Sequence, residues 1–190
     1  MEFKGSRTEQ NLMKAFAGES QARNRYTYAS SAARKEGFVQ ISNIFQETAD
    51  NEREHAKVFF KLLEGGEVEF TASYPAGPTG GTAENLLAAA EGEKLEWGTL
   101  YPEFAQVAEE EGFKKVAATF RKIGEVESYH ERRFRKLLAN VEADVVFSRP
   151  DVTHWKCNNC GYVHSGASAP GVCPSCDHPQ DHFELWVEAY

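Results

Sequence analysis

The sequence predicts an all-α four-helix bundle with one long crossover, followed by a small metal domain built on four cysteines. Three observations predict it. The stretch "NEREHAKVFFKLL" and the later "EVESYHERRFRKLL" carry the same Glu-x-x-His and the same Lys-Leu-Leu: Glu52 and His55 recur as Glu127 and His130, Leu62 and Leu63 as Leu137 and Leu138, each 75 positions on. A segment rich in proline and glycine separates the two copies. All four cysteines fall between Cys157 and Cys176, in two Cys-x-x-Cys pairs.

More of the chain obeys the offset, since "KEGF" ending at Phe38 returns as "EEGF" ending at Phe113, and Tyr26 returns as Tyr101. A duplicated unit is the simplest reading. There is one slip, because the best counterpart of Glu19 is Glu93, 74 positions on, so the copies differ by a one-residue gap.

Thr8 to Glu36 keeps Leu12, Ala15, Phe16, Ala22, Tyr26, Ala29 and Ala33 at helical spacing and contains no proline. Ser6 or Thr8 can cap this first helix, Glu9 can complete a box after Ser6, and Gly37 can end it in the left-handed conformation. A second helix is expected from Val39 to Glu64, stopped by Gly65 and Gly66. "EVEFTASYPAGPTGGT" holds two prolines and three glycines and reads as the crossover. Thr82 is the expected cap of a third helix ending at Gly112, with a bend at Pro102, whose ring removes a donor and crowds the preceding turn. A fourth helix is expected from Phe113 to Asn140. The domain reading is a bundle over 1–141, a linker over 142–153 that loses periodicity and contains Pro150, and a metal domain over 154–190.

Composition narrows the functions. With 190 residues there is room for one sizeable core and a small appendage. A net charge of -8 counts against nucleic acid and anionic membranes as partners. No apolar run approaches the roughly 20 residues of a membrane span, and "MEFKGSRTEQ" lacks the basic-then-apolar order of a secretory signal, so a cytoplasmic protein is expected. The cysteine distribution leaves nothing to staple the first 150 residues and points to metal rather than to disulfides.

Residues three apart on a helix lie about 60° from one another, so Glu52 with His55, and Glu127 with His130, can each aim two donors at one spot. A single such pair is commonplace on solvated helix faces. Two pairs, each preceded by a helix bearing a glutamate among small and apolar residues (Glu19, Glu93), match the pattern by which ferritin-like bundles hold two irons. Glu96 adds a carboxylate one turn beyond Glu93, and by itself reads first as a solvated side chain. "CNNCGY" and "CPSC" enclose 12 residues and bring Cys157, Cys160, Cys173 and Cys176 together as four thiolates, a set that suits zinc or iron alike. The segment is too short to fold on apolar burial alone, so bound metal is expected to supply much of its stability.

"GESQARNRY", "ETADNEREHAK", the helix with "EGEKLEW", the second Glu-x-x-His and the terminal four cysteines, in that order, resemble the rubrerythrin family over essentially the whole chain. The resemblance implies a di-iron site of Glu19, Glu52, His55, Glu93, Glu96, Glu127 and His130. Glu96 would bind one iron in the oxidised state and His55 would replace it on reduction, in keeping with the preference of ferric iron for anionic oxygen. Trp155, Tyr162, Phe183 and Trp186 resemble the small core of a rubredoxin, although Asp177 stands where rubredoxins usually carry glycine. Tyr26 and Tyr101 fit two roles, hydrogen-bond donors to ligand carboxylates or amphipathic core residues.

The function so implied is a peroxidase that reduces hydrogen peroxide to water, with three irons per chain. Electrons would pass through the four-cysteine iron from a donor such as rubredoxin or an NAD(P)H-dependent reductase, within a head-to-tail homodimer or larger assembly. The alternatives are a ferritin-like ferroxidase that oxidises and stores iron, and a metal protein with structural zinc in its tail.

Overall fold

The computed structural model describes residues 2–188. Five helices, α1 (Arg7–Lys35), α2 (Val39–Phe60), α3 (Thr82–Leu95), α4 (Tyr101–Glu110) and α5 (Lys114–Glu142), form two antiparallel pairs, α1 with α2 and the joined α3–α4 with α5. Residues 64–81 form the crossover and contain no helix or strand. Among the described residues no helix is long and apolar enough to cross a membrane.

The repeated "EGF" explains the two hairpins. Gly37 (φ 84°) and Gly112 (φ 88°) take the left-handed conformation, and the next amides reach back, Phe38 N to Ala33 O at 2.8 Å and Phe113 N to Ala108 O at 2.7 Å. Such closures satisfy carbonyls that a helix end leaves free. The glutamate before each glycine caps the other repeat. Glu111 accepts from Thr8 N (2.9 Å) and Thr8 Oγ1 (2.6 Å) at the start of α1, and Glu36 accepts from Thr82 N (2.9 Å) at the start of α3. Each places a negative charge where the helix dipole is positive.

Local capping differs between the copies. At α1 Ser6 is the cap, its hydroxyl accepting from Glu9 N at 3.0 Å. At α3 the expected cap Thr82 is instead the first helical residue; Gly81 is the cap, and Glu84 takes the Gly81 amide at 2.9 Å. The second helix ends earlier than expected, at Phe60, with turns over 61–62. The bend expected at Pro102 takes the form of a π-helical turn over Glu96–Leu100 that joins α3 to α4, with Tyr101 N bonded to Glu96 O. Pro102 follows as the second residue of α4, where its missing donor costs little.

The bundle core falls into two apolar layers. One holds Tyr26, Phe45, Leu86, Phe134 and Leu137, the other Leu12, Phe59, Tyr101, Phe120 and Ile123. In each helix pair the residues between those layers are the buried polar ones: Glu19, Glu52, Glu93, Glu127 and His130.

The C-terminal unit is a three-stranded antiparallel sheet in the order β2-β1-β3, with β1 (Ser148–Cys157) central between β2 (Val163–Ser168) and β3 (Phe183–Leu185). α5 runs to Glu142 and β1 begins at Ser148, so the segment expected as linker is in large part regular structure. Trp155, Phe183, Ala169 and two cysteines form the core. Trp186, expected in that core, lies outside it, half-buried and edge-on to His154 at 5.7 Å. The unit leans on the α1–α2 hairpin, where Phe147 stacks on Phe38 with ring centres 6.2 Å apart.

Candidate metal centres

Each helix pair delivers one Glu-x-x-His from its second member and one glutamate from its first. Two groups of donor atoms result, each within a 4.8 Å span: Glu19, Glu52, His55 and Glu127, and Glu52, Glu93, Glu127 and His130. Glu52 and Glu127 belong to both, so they stand between two potential ion positions. His55 Nδ1 lies 2.8 Å from Glu52 and 2.8 Å from Glu127, while His130 Nδ1 lies 2.8 Å from Glu127 and 3.2 Å from Glu52. The two imidazoles stand 6.0 Å apart, centre to centre.

The buried polar atoms pose a problem that protein alone does not solve. Glu19 Oε2 and Glu93 Oε2 are buried without a hydrogen-bond partner among the described residues, while Glu52 Oε1, both Glu127 oxygens and His130 Nδ1 form no well-aligned hydrogen bond and meet each other and His55 as ion pairs. An unpaired buried polar atom costs on the order of 1–3 kcal/mol, and more when charged. Carboxylates and imidazoles crowded onto two spots with so few well-formed hydrogen bonds, all nitrogen or oxygen donors, fit a pair of transition-metal ions.

The protonation pattern says the same. Burial by itself would lower His55, but Glu127 and Glu52 outweigh it and raise the imidazole to about 10. His130 is raised to about 12 against the same burial by Glu127, Glu52 and Glu93. Glu127 is the counterpart: burial would raise it, and the two histidines bring it down to about 2. Burial and then Glu52 push Glu93 up to about 8, while burial and then the charge of Glu96 hold Glu19 well above the ordinary carboxyl range. Without metal, the site compensates its own charge with protons.

Tyr26 and Tyr101 are both buried core residues and donors. Tyr26 Oη donates to Glu93 Oε1 at 2.5 Å, and Tyr101 Oη donates to Glu19 Oε1. Each tyrosine therefore holds the glutamate of the opposite repeat. The π turn makes this symmetry possible. Glu19 precedes Tyr26 by seven residues, but Glu93 precedes Tyr101 by eight. In an unbroken helix the extra residue would turn Tyr101 away by about 100°; the π turn between them absorbs it, and the one-residue slip in the repeat is its trace in the sequence.

Glu96 belongs to neither donor group. It is half-buried at the start of the π turn, its carboxyl raised well above the usual range by burial and then by Glu93, Glu127 and Glu52, with Arg25 opposing. Arg25 and Trp97, which donates to Glu131 at 2.7 Å, are neighbours that sequence reasoning did not single out. Neither repeats at the 75-residue offset, the one signal that marked the rest.

In the C-terminal unit the four cysteine sulfurs gather within 4.8 Å of one another, with Cys157 to Cys176 at 3.8 Å and Cys160 to Cys173 at 3.6 Å. These separations exclude disulfides and suit a tetrahedral four-thiolate ion. Two matching turns present them: Gly161 N bonds Cys157 O at 2.8 Å and Asp177 N bonds Cys173 O at 3.0 Å. Gly161 (φ 81°) and Asp177 (φ 57°) share the left-handed conformation, so Asp177 fills the glycine position at some backbone cost. Burial pushes the Cys173 thiol up to about 11, whereas the His178 amide brings Cys176 down to about 7.

Family models match both units of the chain. The family model Rubrerythrin matches residues 10–138, and the model for the rubrerythrin rubredoxin-like domain matches residues 155–184. The chain is 60% identical to a rubrerythrin of Porphyromonas gingivalis, over 96% of this chain and 91% of that one. It is 55% identical to a rubrerythrin of Nitratidesulfovibrio vulgaris over 96% of both. A solved structure of nigerythrin in its fully reduced, all-ferrous state superposes with a TM-score of 0.62 at 30% identity, covering 97% of this chain and 91% of that one.

Proposed function

The chain belongs to the rubrerythrin family, and we propose that it is a non-haem di-iron peroxidase that reduces hydrogen peroxide to water, with electrons relayed through the C-terminal four-cysteine iron. The observation that carries the reading is the pairing, in one chain, of two buried groups of carboxylate and imidazole donors converging within 4.8 Å with a separate four-thiolate cluster. Two ferrous ions in the bundle would supply the two electrons that H2O2 + 2H+ + 2e- → 2H2O requires.

The chain's own residues then have defined tasks. Glu52 and Glu127, common to both donor groups, would hold both ions, and Tyr26 and Tyr101 fix Glu93 and Glu19 through hydrogen bonds to their carboxylates. Glu96, one turn from Glu93 and outside both donor groups, would be the further carboxylate available to an oxidised pair of irons in place of His55. An iron held by Cys157, Cys160, Cys173 and Cys176 would supply electrons one at a time, and so would reload a pair of bundle irons in two steps.

Its position favours transfer between chains. The cysteine unit rests on the α1–α2 hairpin, and Glu52 lies fourteen residues beyond Phe38, about 20 Å along α2 at about 1.5 Å per residue. Tunnelling weakens exponentially with distance, and a head-to-tail homodimer brings a partner's cysteine unit nearer the bundle's flank. We take the protein to be cytoplasmic, with rubredoxin or an NAD(P)H-dependent reductase as outside donor.

The test is an anaerobic stopped-flow mix of the fully reduced, iron-loaded protein with hydrogen peroxide. Oxidation of two bundle irons per peroxide is expected, faster than with dioxygen. Faster oxidation by dioxygen, with iron released to a store, would replace this reading by ferroxidase activity. Metal analysis should give three irons per chain, and stoichiometric zinc on the four cysteines would remove the relay.

A further inference from the structure

A cavity of about 280 Å³ lies on the α1 and α3–α4 side of the bundle, and the crossover roofs it. Its walls include Glu96 and Tyr101 at the inner end, Arg25, Leu100 and Phe104 along the sides, and Tyr74 from the crossover. At about 30 Å³ per water it holds on the order of nine. The inner end meets the metal site twice, at the Glu96 carboxylate and at the tyrosine that holds Glu19.

The roof is pinned in place. Tyr74 Oη donates to Lys14 O at 2.7 Å, and Gln10 Nε2 donates to Glu69 O at 3.1 Å, so a segment without helix or strand is tied to α1 at two points. The Tyr74 ring lies over Gly18, where an added Cβ would stand 3.7 Å from Tyr74 Cε1. Gly18 immediately precedes Glu19, so the ring covers the helix turn that carries a site carboxylate.

We propose that this cavity is the route by which hydroperoxide reaches the bundle site and that Tyr74 is its specificity-determining residue, admitting hydrogen peroxide and excluding bulky organic hydroperoxides. The proposal rests on the peroxidase reading for its substrate class. The lining suits a small polar molecule: a mostly apolar surface that also carries hydrogen-bonding side chains, among them Lys14, Gln21, Arg25, Ser73 and Glu96. Removing the Tyr74 ring widens the mouth without touching a donor of either metal group.

The test has an arm that needs no turnover. In the metal-loaded protein a thiol introduced by Leu100→Cys is labelled with methyl methanethiosulfonate and with pyrene maleimide, and peptide mass spectrometry separates it from the four native cysteines. With Tyr74 present the small reagent should label far faster; with Tyr74→Ala or Tyr74→Leu the ratio of the two rates should fall about tenfold or more. Tyr74→Phe, which keeps the ring and removes the pin to Lys14, should change it less. In the second arm, the reduced protein without the introduced thiol is mixed with hydrogen peroxide and with cumene hydroperoxide. Tyr74→Ala should raise the rate with the aryl hydroperoxide about tenfold while changing the hydrogen peroxide rate less than about twofold. A labelling ratio and a peroxide preference both indifferent to residue 74 overturn the proposal. Loss of the labelling sieve in a protein that reacts with neither peroxide overturns the peroxidase reading and keeps the route.

Discussion

The bundle centre and the cysteine centre gather their donors in opposite ways. In the bundle, two apolar layers rich in Phe45, Phe59, Phe120 and Phe134 clamp a polar layer between them, and protons on His55 and His130 balance the carboxylates. The C-terminal unit has little besides Trp155, Phe183 and Ala169 to bury, and two of its five core residues are the cysteines themselves. The first site is gathered by the packing around it, whereas a unit with so little to bury is expected to draw much of its stability from bound metal.

The sharpest way to break this comparison is Cys160→Ser. The cysteine unit should lose its metal and its sheet, since metal binding there is worth on the order of 10 kcal/mol in comparable small sites. The bundle should melt at an unchanged temperature and react once with peroxide, yet fail to turn over. Circular dichroism, single-turnover and steady-state rates check this; a bundle that unfolds with the cysteine unit would show the two centres to be one cooperative structure.

Next in size is the response to pH. His55 is raised to about 10, so the stability it gives the metal-free bundle is complete below about 6.5 and fades as pH rises through about 10. Glu93, raised to about 8, adds the same sign: the fold resists its ionisation, at a cost that grows from about pH 4.5 to about 8. The metal-free bundle should therefore weaken between pH 7 and 10 in denaturant titrations. Ions must displace those protons, so ferrous affinity should rise about tenfold or more per pH unit near neutrality. An affinity flat with pH would mean that the histidines are already neutral.

Tyr26→Phe and Tyr101→Phe probe whether the two halves of the bundle centre are energetically alike. Each removes the donor to a buried glutamate of the opposite repeat, at an expected cost of about 1–3 kcal/mol in unfolding experiments. Costs differing by more than the measurement error would locate the asymmetry in the π turn beside Tyr101.

The smallest effect belongs to the cysteine turns. Asp177→Gly relaxes a left-handed residue and should move the metal-loaded unit's stability by less than about 1 kcal/mol, toward stabilisation, whereas Gly161→Ala should destabilise by about 1 kcal/mol or more. Thermal melts followed at the thiolate absorption distinguish them.

The sequence by itself determined what local spacing and local chemistry encode. Helical periodicity, Ser6, Gly37 and Gly112 placed the helices, the 75-residue repeat exposed the ligand pairs, and two Cys-x-x-Cys turns announced a metal unit; the family models extend over the same segments. Its one-residue slip even marked the π turn, though not its purpose. Tertiary structure alone decided the contacts between residues 67 to 103 positions apart: Tyr26 on Glu93, Tyr101 on Glu19, Glu111 on Thr8. It also turned Trp186 out of the small core, set Glu96 apart from both donor groups and laid Tyr74 over Gly18. Periodicity says which face of a helix is buried, but which residue of another helix meets that face depends on how the two repeats dock, and that is fixed only when both apolar layers close around the acids.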